Sequence, residues 1–211
     1  MRAASPIVVR SALCLLALVP VTTVASAVVA TQAGQLSAEA PRDWDDDKRN
    51  RDKKEYLLKA AYLFNFASFV EWPAARFKKS DSPIIFGVVG VDPFGDSLEK
   101  TFKGRKVGTR ALTVSRFSDA KSLGNCHVLF LPQGHKQDLK KIIAYCQKTN
   151  VLLVSESPGF LKQGGIVNFY IEDDSIQFEI HVDRAKRWKL EISSKLLRLA
   201  RLVKGEDGDQ L

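Results

Sequence analysis

Between Pro83 and Ser155 the chain alternates short apolar runs with turn and helical stretches, and this alternation restricts the fold more than any other feature. Pro83-Ile84-Ile85-Phe86-Gly87-Val88-Val89-Gly90, His127-Val128-Leu129-Phe130-Leu131 and Asn150-Val151-Leu152-Leu153-Val154-Ser155 are continuous apolar runs of strand length. That is the pattern of strands covered on both faces. Ala111 to Arg116 is a further strand, with Leu112 and Val114 alternating against polar residues. Val91 to Asp96 makes a turn, with Asp92 as N-cap and Pro93 at the first position of a short helix ending near Phe102. Lys136 to Cys146 puts Leu139, Ile142, Ile143 and Cys146 on one helical face. Strand–helix–strand order of this kind implies parallel pairing with right-handed crossovers.

The pattern changes after Gly164-Gly165. Ile166 to Ile171 and Ser175 to Val182 are strands joined through Asp173-Asp174, which reads as a hairpin. Ile176, Phe178, Ile180 and Val182 face one way and Gln177, Glu179, His181 and Asp183 the other, as for a hairpin near a sheet edge. The expected fold is therefore α/β: a mostly parallel sheet flanked by helices on both faces, with an antiparallel hairpin at the C-terminal edge.

Two segments bracket this unit. Glu55 to Phe69 is a helix apolar nearly all round, closed by Trp72-Pro73, because proline disfavours helical geometry in the residue before it. Ser193 to Lys204 is a second helix, capped by Ser193 or Ser194. Such helices are either buried on several sides or meet a partner. Upstream, Arg2 and Arg10, the apolar stretch Ser11 to Val24 and the small residues Ala25-Ser26-Ala27 read as a cleaved signal peptide over residues 1–27. The stretch is shorter than the ~20 residues that a membrane span needs, and Leu13 before Cys14 argues against lipidation. Residues 28–54 are a polar linker, 55–204 one α/β domain and 205–211 a polar tail. Loss of residues 1–27 removes two arginines and no acid, lowering the formal charge from +8 to +6. No basic run interleaved with aromatics points to nucleic acid.

Chemistry is hard to find. No G-x-S-x-G elbow is present, and His127, His135 and His181 stand apart from any second metal-ligating residue at a suitable spacing. Neither catalysis, a cofactor nor a metal is expected. Asp92, Phe94 and Gly95 form a candidate ligand loop, because they follow a strand where doubly wound sheets bind small molecules. Cys126 before the third strand and Cys146 at the end of the following helix fall at one end of that unit. A disulfide between them and a pair of buried free thiols both remain open.

Leu58-Lys59-Ala60-Ala61-Tyr62 with Phe66, Phe69 and Trp72-Pro73, then Gly87-Val88-Val89-Gly90 with Asp92-Pro93-Phe94-Gly95, set a sequence of motifs. Cys126, Gly164-Gly165-Ile166, Phe178-Glu179-Ile180 and Ile192-Ser193-Ser194 with Leu196 to Ala200 continue it in order. Over Glu55 to Leu202 this set resembles the YfiR family of exported bacterial proteins. His181 stands where that family carries Asn, and only two cysteines lie beyond the signal peptide, so redox behaviour does not transfer directly. The resemblance implies a non-catalytic periplasmic repressor, dimeric, that binds the periplasmic domain of an inner-membrane diguanylate cyclase and is released by an OmpA-like outer-membrane lipoprotein. Cyclic di-GMP and biofilm formation would be its outputs. A small-molecule sensor, or an accessory of a sensor kinase or transporter, is the alternative. The expected partner surface draws on Tyr62, Phe66, Phe69, Trp72, Leu196, Leu197 and Leu199, for each of which core packing is the competing role.

Overall fold

The computed structural model describes residues 43–134 and 138–205, with side chains described from residue 46. The expected signal peptide over residues 1–27, His135 and the tail from residue 206 lie outside the described residues. The chain opens with helix α1 (Asp43–Phe69), which runs directly into a short strand β1 (Val70–Glu71). Strand β2 (Ile84–Val89) leads through helix α2 (Ser97–Phe102) and strand β3 (Lys106–Val107) to β4 (Arg110–Phe117). Strand β5 (Val128–Leu131), helix α3 (Leu139–Lys148) and β6 (Leu152–Ser155) follow. The hairpin is β7 (Val167–Glu172) with β8 (Ser175–His181). The chain ends in α4 (Val182–Arg187), β9 (Glu191–Ile192), α5 (Ser194–Leu197) and β10 (Arg201–Val203).

One eight-stranded sheet carries the order β10-β8-β7-β6-β5-β2-β4-β3. Pairing is parallel from β7 through β6, β5 and β2 to β4, and antiparallel in the β7–β8 and β3–β4 hairpins. The fold class is the one expected. Register fixes the faces: Phe86 pairs with Val128, Val128 with Leu152, Val154 with Val167, and Phe169 with Phe178. Registered partners point to the same side, so these residues form one continuous apolar floor. α1 and α2 cover it. Phe66 stacks on Phe169 with centroids 5.6 Å apart and meets Phe178 edge-on at 5.1 Å, while Phe102 lies 4.4 Å from Phe86. The other face carries Gly87, Leu129 and Phe117. A Cβ on Gly87 would come within 2.8 Å of both Leu129 and Phe117, so the glycine is required by the closeness of that packing. α3 reaches this face through Tyr145, whose hydroxyl donates to the Gly124 carbonyl at 2.6 Å beside Phe117.

Several expectations need correction. α1 starts at Asp43, not near Glu55. The acids Asp46 and Asp47 sit in its first turns, where the helix dipole favours them, and charge placement of this kind escapes a search for apolar period. α2 begins after Asp96, not Asp92. The closing helix is a single turn, α5, and the residues after it form β10, parallel to β8 on its outer side. Arg201 lies in register with Glu179 and forms an ion pair with it at 2.5 Å. A longer helix would leave the β8 edge unpaired, so tertiary pairing overrides helical propensity. His181 is not on a solvated strand face. It is buried at the N-cap of α4, where its ring accepts the Arg184 amide at 3.3 Å.

The segments that bracket the domain meet directly. β1 pairs antiparallel with β9, Val70 opposite Ile192, and the Ser193 amide donates to the Phe69 carbonyl at 2.8 Å. Near its middle α1 is fixed by Glu156, just past β6. That carboxylate accepts from Lys59 at 2.5 Å, from the Tyr56 hydroxyl at 3.0 Å and from the Gln133 amide at 3.2 Å, and Lys59 also pairs with Glu55. Burial, with the carboxylate beside it, pushes the Tyr56 phenol well above its ordinary range.

The start of β5 is held by His127. Its Nδ1 accepts the Ile85 amide at 3.0 Å, its ring stacks on Phe77 at 4.6 Å, and the Trp72 indole donates to its carbonyl at 3.1 Å. Burial, reinforced by the Arg76 charge, lowers its pKa from 6.5 to about 4.

Two predictions follow from these anchors. Glu156→Ala leaves Lys59 buried with Glu55 alone and should cost about 3 kcal/mol in chemical denaturation. Lys59→Met should cost less, because Glu156 keeps two donors; equal or reversed costs would refute this account. For His127, the unfolded chain takes up its proton first as pH falls through 6.5, so its contribution to stability declines until about pH 4 and then levels. The full loss is about 3 kcal/mol. A denaturation series from pH 7 to pH 5 should show this slope in the wild type and a flatter one in His127→Asn.

Candidate functional site

The residues expected to form a partner surface divide between core and surface. Phe66 is fully buried and Leu196 nearly so, which makes them structural. Trp72 is half-buried and committed to His127. Tyr62 is half-buried, within 5.5 Å of Phe178, and its hydroxyl reaches the Ile176 carbonyl at 3.4 Å. Phe69 and Leu197 are half-buried, and Leu199 is 66% exposed. A helix apolar all round thus presents Phe66 inward and Tyr62 to a boundary, a distinction that periodicity alone does not make.

Two apolar residues outside that set complete the boundary. Leu58 on α1 is 47% exposed and Ile171 near the β7–β8 turn is 61% exposed. With Tyr62 and Ile176 they line a groove of about 820 Å³ between α1 and the hairpin. Arg51 and Lys54 stand on its helical rim and Asp174 on its hairpin rim. Ile171 has the inward parity of Val167 and Phe169, yet it lies beyond the two residues at which β6 pairs with β7. Strand alternation marks it as apolar, and only the differing strand lengths reveal that it is uncovered.

The Asp92–Gly95 loop is internally satisfied. Asp92 accepts the Phe94 amide at 2.8 Å in an Asx turn and the Arg116 Nε at 2.7 Å. Arg116 also donates to the Gly95 carbonyl and to Glu99, both within 2.7 Å. Phe94 is buried, edge-on to Phe130 at 4.8 Å. The arginine that closes this loop comes from β4, far along the chain, so the sequence of the loop alone reads as more open than it is.

Cys126 and Cys146 are both buried free thiols, and no bond joins them in this structure. Burial pushes Cys126 up to about 12 and Cys146 well above its ordinary value, so neither is an activated nucleophile.

A second cavity, of about 390 Å³, opens beside the carboxyl ends of β5 and β6. Lys59 and Glu156 lie on one wall and Glu179 and Arg201 on another, with Asn168 and Tyr170 between them. The sequence gives no local signal for it, because its residues come from α1, two strand-end loops, the hairpin and β10.

Among the described residues no helix is long and apolar enough to cross a membrane. No curated protein matches the sequence. Among solved structures, one described as the ABC domain in complex with L-Trp from Streptococcus pneumonia shares 8% identity at a TM-score of 0.41. The likeness covers 57% of this chain and 55% of that one, about half its length. The family model described as YfiR/HmsC-like matches residues 56–201, nearly all of the described domain. That family consists of non-catalytic periplasmic regulators of diguanylate cyclase signalling. The chain belongs to the YfiR/HmsC-like family.

Proposed function

We propose that this protein is exported through cleavage of residues 1–27 and represses an inner-membrane diguanylate cyclase by binding its periplasmic sensor domain. On this reading it lowers cyclic di-GMP and restrains biofilm formation, and an OmpA-like outer-membrane lipoprotein relieves the repression. The protein acts as a homodimer. The observation that carries the proposal is the groove between α1 and the β7–β8 turn, where Leu58 and Ile171 are exposed side by side with a charged rim. Apolar residues clustered in this way inside a polar border suit a protein partner. Leu199, with half-buried Phe69 and Leu197, offers a second, smaller contact region.

The test separates binding from folding. Deleting the gene should raise cyclic di-GMP, and a wild-type copy should restore it. Ile171→Asp and Leu58→Asp should fail to restore it while unfolding at the wild-type temperature, because a charge at the centre of a contact costs affinity by roughly thirtyfold. Phe66→Ala should lose repression through instability, by about 3–5 kcal/mol. Full repression by both groove variants would refute the assignment of the groove; unchanged cyclic di-GMP on deletion would refute the repressor.

A further inference from the structure

The cleft beside β5 and β6 has a charge opposite to that of the protein. The whole chain carries a formal +8. Inside the cleft three carboxylates, Glu55, Glu156 and Glu179, face two cations, Lys59 and Arg201, which leaves one net negative charge. Lys59 is only 4% exposed and already held by two carboxylates. Arg201 is tied to Glu179 and lies 4.1 Å above the Tyr170 ring, but it is half exposed and able to leave.

The floor of the cleft carries an unmet demand. Asn168 is 3% exposed. Its Nδ2 donates to Glu179 Oε1 at 3.4 Å, and a carboxylate can only accept, so this contact fixes which end of the amide is which. The remaining oxygen, Oδ1, is buried and has no partner. A buried acceptor without a donor costs free energy. The groups that a ligand would meet are thus acceptors: Asn168 Oδ1, the carboxylates of Glu179 and Glu156, and the face of Tyr170. The position, past the carboxyl ends of parallel strands, is the one where open α/β sheets bind small molecules.

We infer that this cleft binds a small organic cation bearing several N–H donors, of the diamine or polyamine class. Its ammonium groups pair with Glu179 and Glu156, one N–H satisfies Asn168, and the aliphatic chain lies along Tyr170. The net positive charge of the protein disfavours non-specific uptake of such cations elsewhere. The inference stands whether or not the repressor reading does, because it concerns a different set of residues and a different readout.

Thermal unfolding of the purified protein at physiological salt tests it, with putrescine and spermidine as probes, tetramethylammonium as a cation without N–H, and succinate as an anion. A ligand of the folded state raises the melting temperature saturably. Both amines should do so, tetramethylammonium and succinate should not, and Glu179→Gln should weaken the response about tenfold. Arg201→Gln should act oppositely and strengthen it severalfold, since it frees Glu179 and deepens the negative charge. Asn168→Leu should abolish the response in a protein that folds no less stably, because it removes the orphaned acceptor. No shift with either amine, an equal shift in Glu179→Gln, or a shift with succinate instead would overturn the inference.

Discussion

The fold depends on holding one long helix flat against the end of a sheet that alone could not bury its floor. α1 is the cover for Phe169 and Phe178, and it is fixed at three places by three kinds of force. In its last turn Phe66 packs against both of those rings. Near its middle Lys59 and Tyr56 converge on Glu156. At its C-terminus the β1–β9 pair ties it to the last part of the chain. Apolar packing gives most of the energy but little register along the helix axis. The ion pair and the short ladder supply that register, since both fail if the helix slides by one turn. This division explains why a charged group is kept nearly buried at Lys59, where an apolar residue of similar size would pack without the cost of desolvation.

The parts of this architecture that sequence revealed are those in which one segment determines its own state. Four apolar runs became β2, β5, β6 and, with alternation, β4, because strand length and turn residues are local properties. The hairpin was visible for the same reason. What stayed hidden depends on residues far apart in the chain. β10 exists because β8 would otherwise have an open edge, and α4 because the His181 ring can cap it. Arg116 closes the Asp92 loop from β4. The cleft is the extreme case: Asn168 and Arg201 belong to no motif, Glu179 belongs to one that says nothing of a cavity, and the three meet only when three strands are laid side by side.

The hydrophobic surface shows the same separation. The aromatic residues that distinguish the first helix in sequence are mainly its anchors, and Phe66 and Trp72 are engaged with the core. The apolar residues left exposed along the groove are plainer, Leu58 and Ile171, and Ile171 is exposed by a mismatch of lengths: β6 pairs with β7 at two positions only, and β7 continues past it.

Groove and cleft share walls. Glu55 and Ile171 line both cavities, and Tyr56, Lys59 and Leu58 are consecutive or one turn apart on the same helix. A cation drawn to Glu156 competes with Lys59 for the carboxylate that fixes α1, so its binding bears on the helix that forms one wall of the groove. Thermodynamic linkage makes any such effect reciprocal: a ligand that changes the affinity of the groove by a given factor is itself bound tighter or weaker by that factor when the groove is filled. The sign follows from which state keeps Lys59 on Glu156. A ligand that loosens this contact opposes a partner needing α1 seated, and one that neutralises Glu179 while leaving Glu156 paired does not. Control of this kind requires no catalytic group, only a buried ion pair placed where two cavities meet.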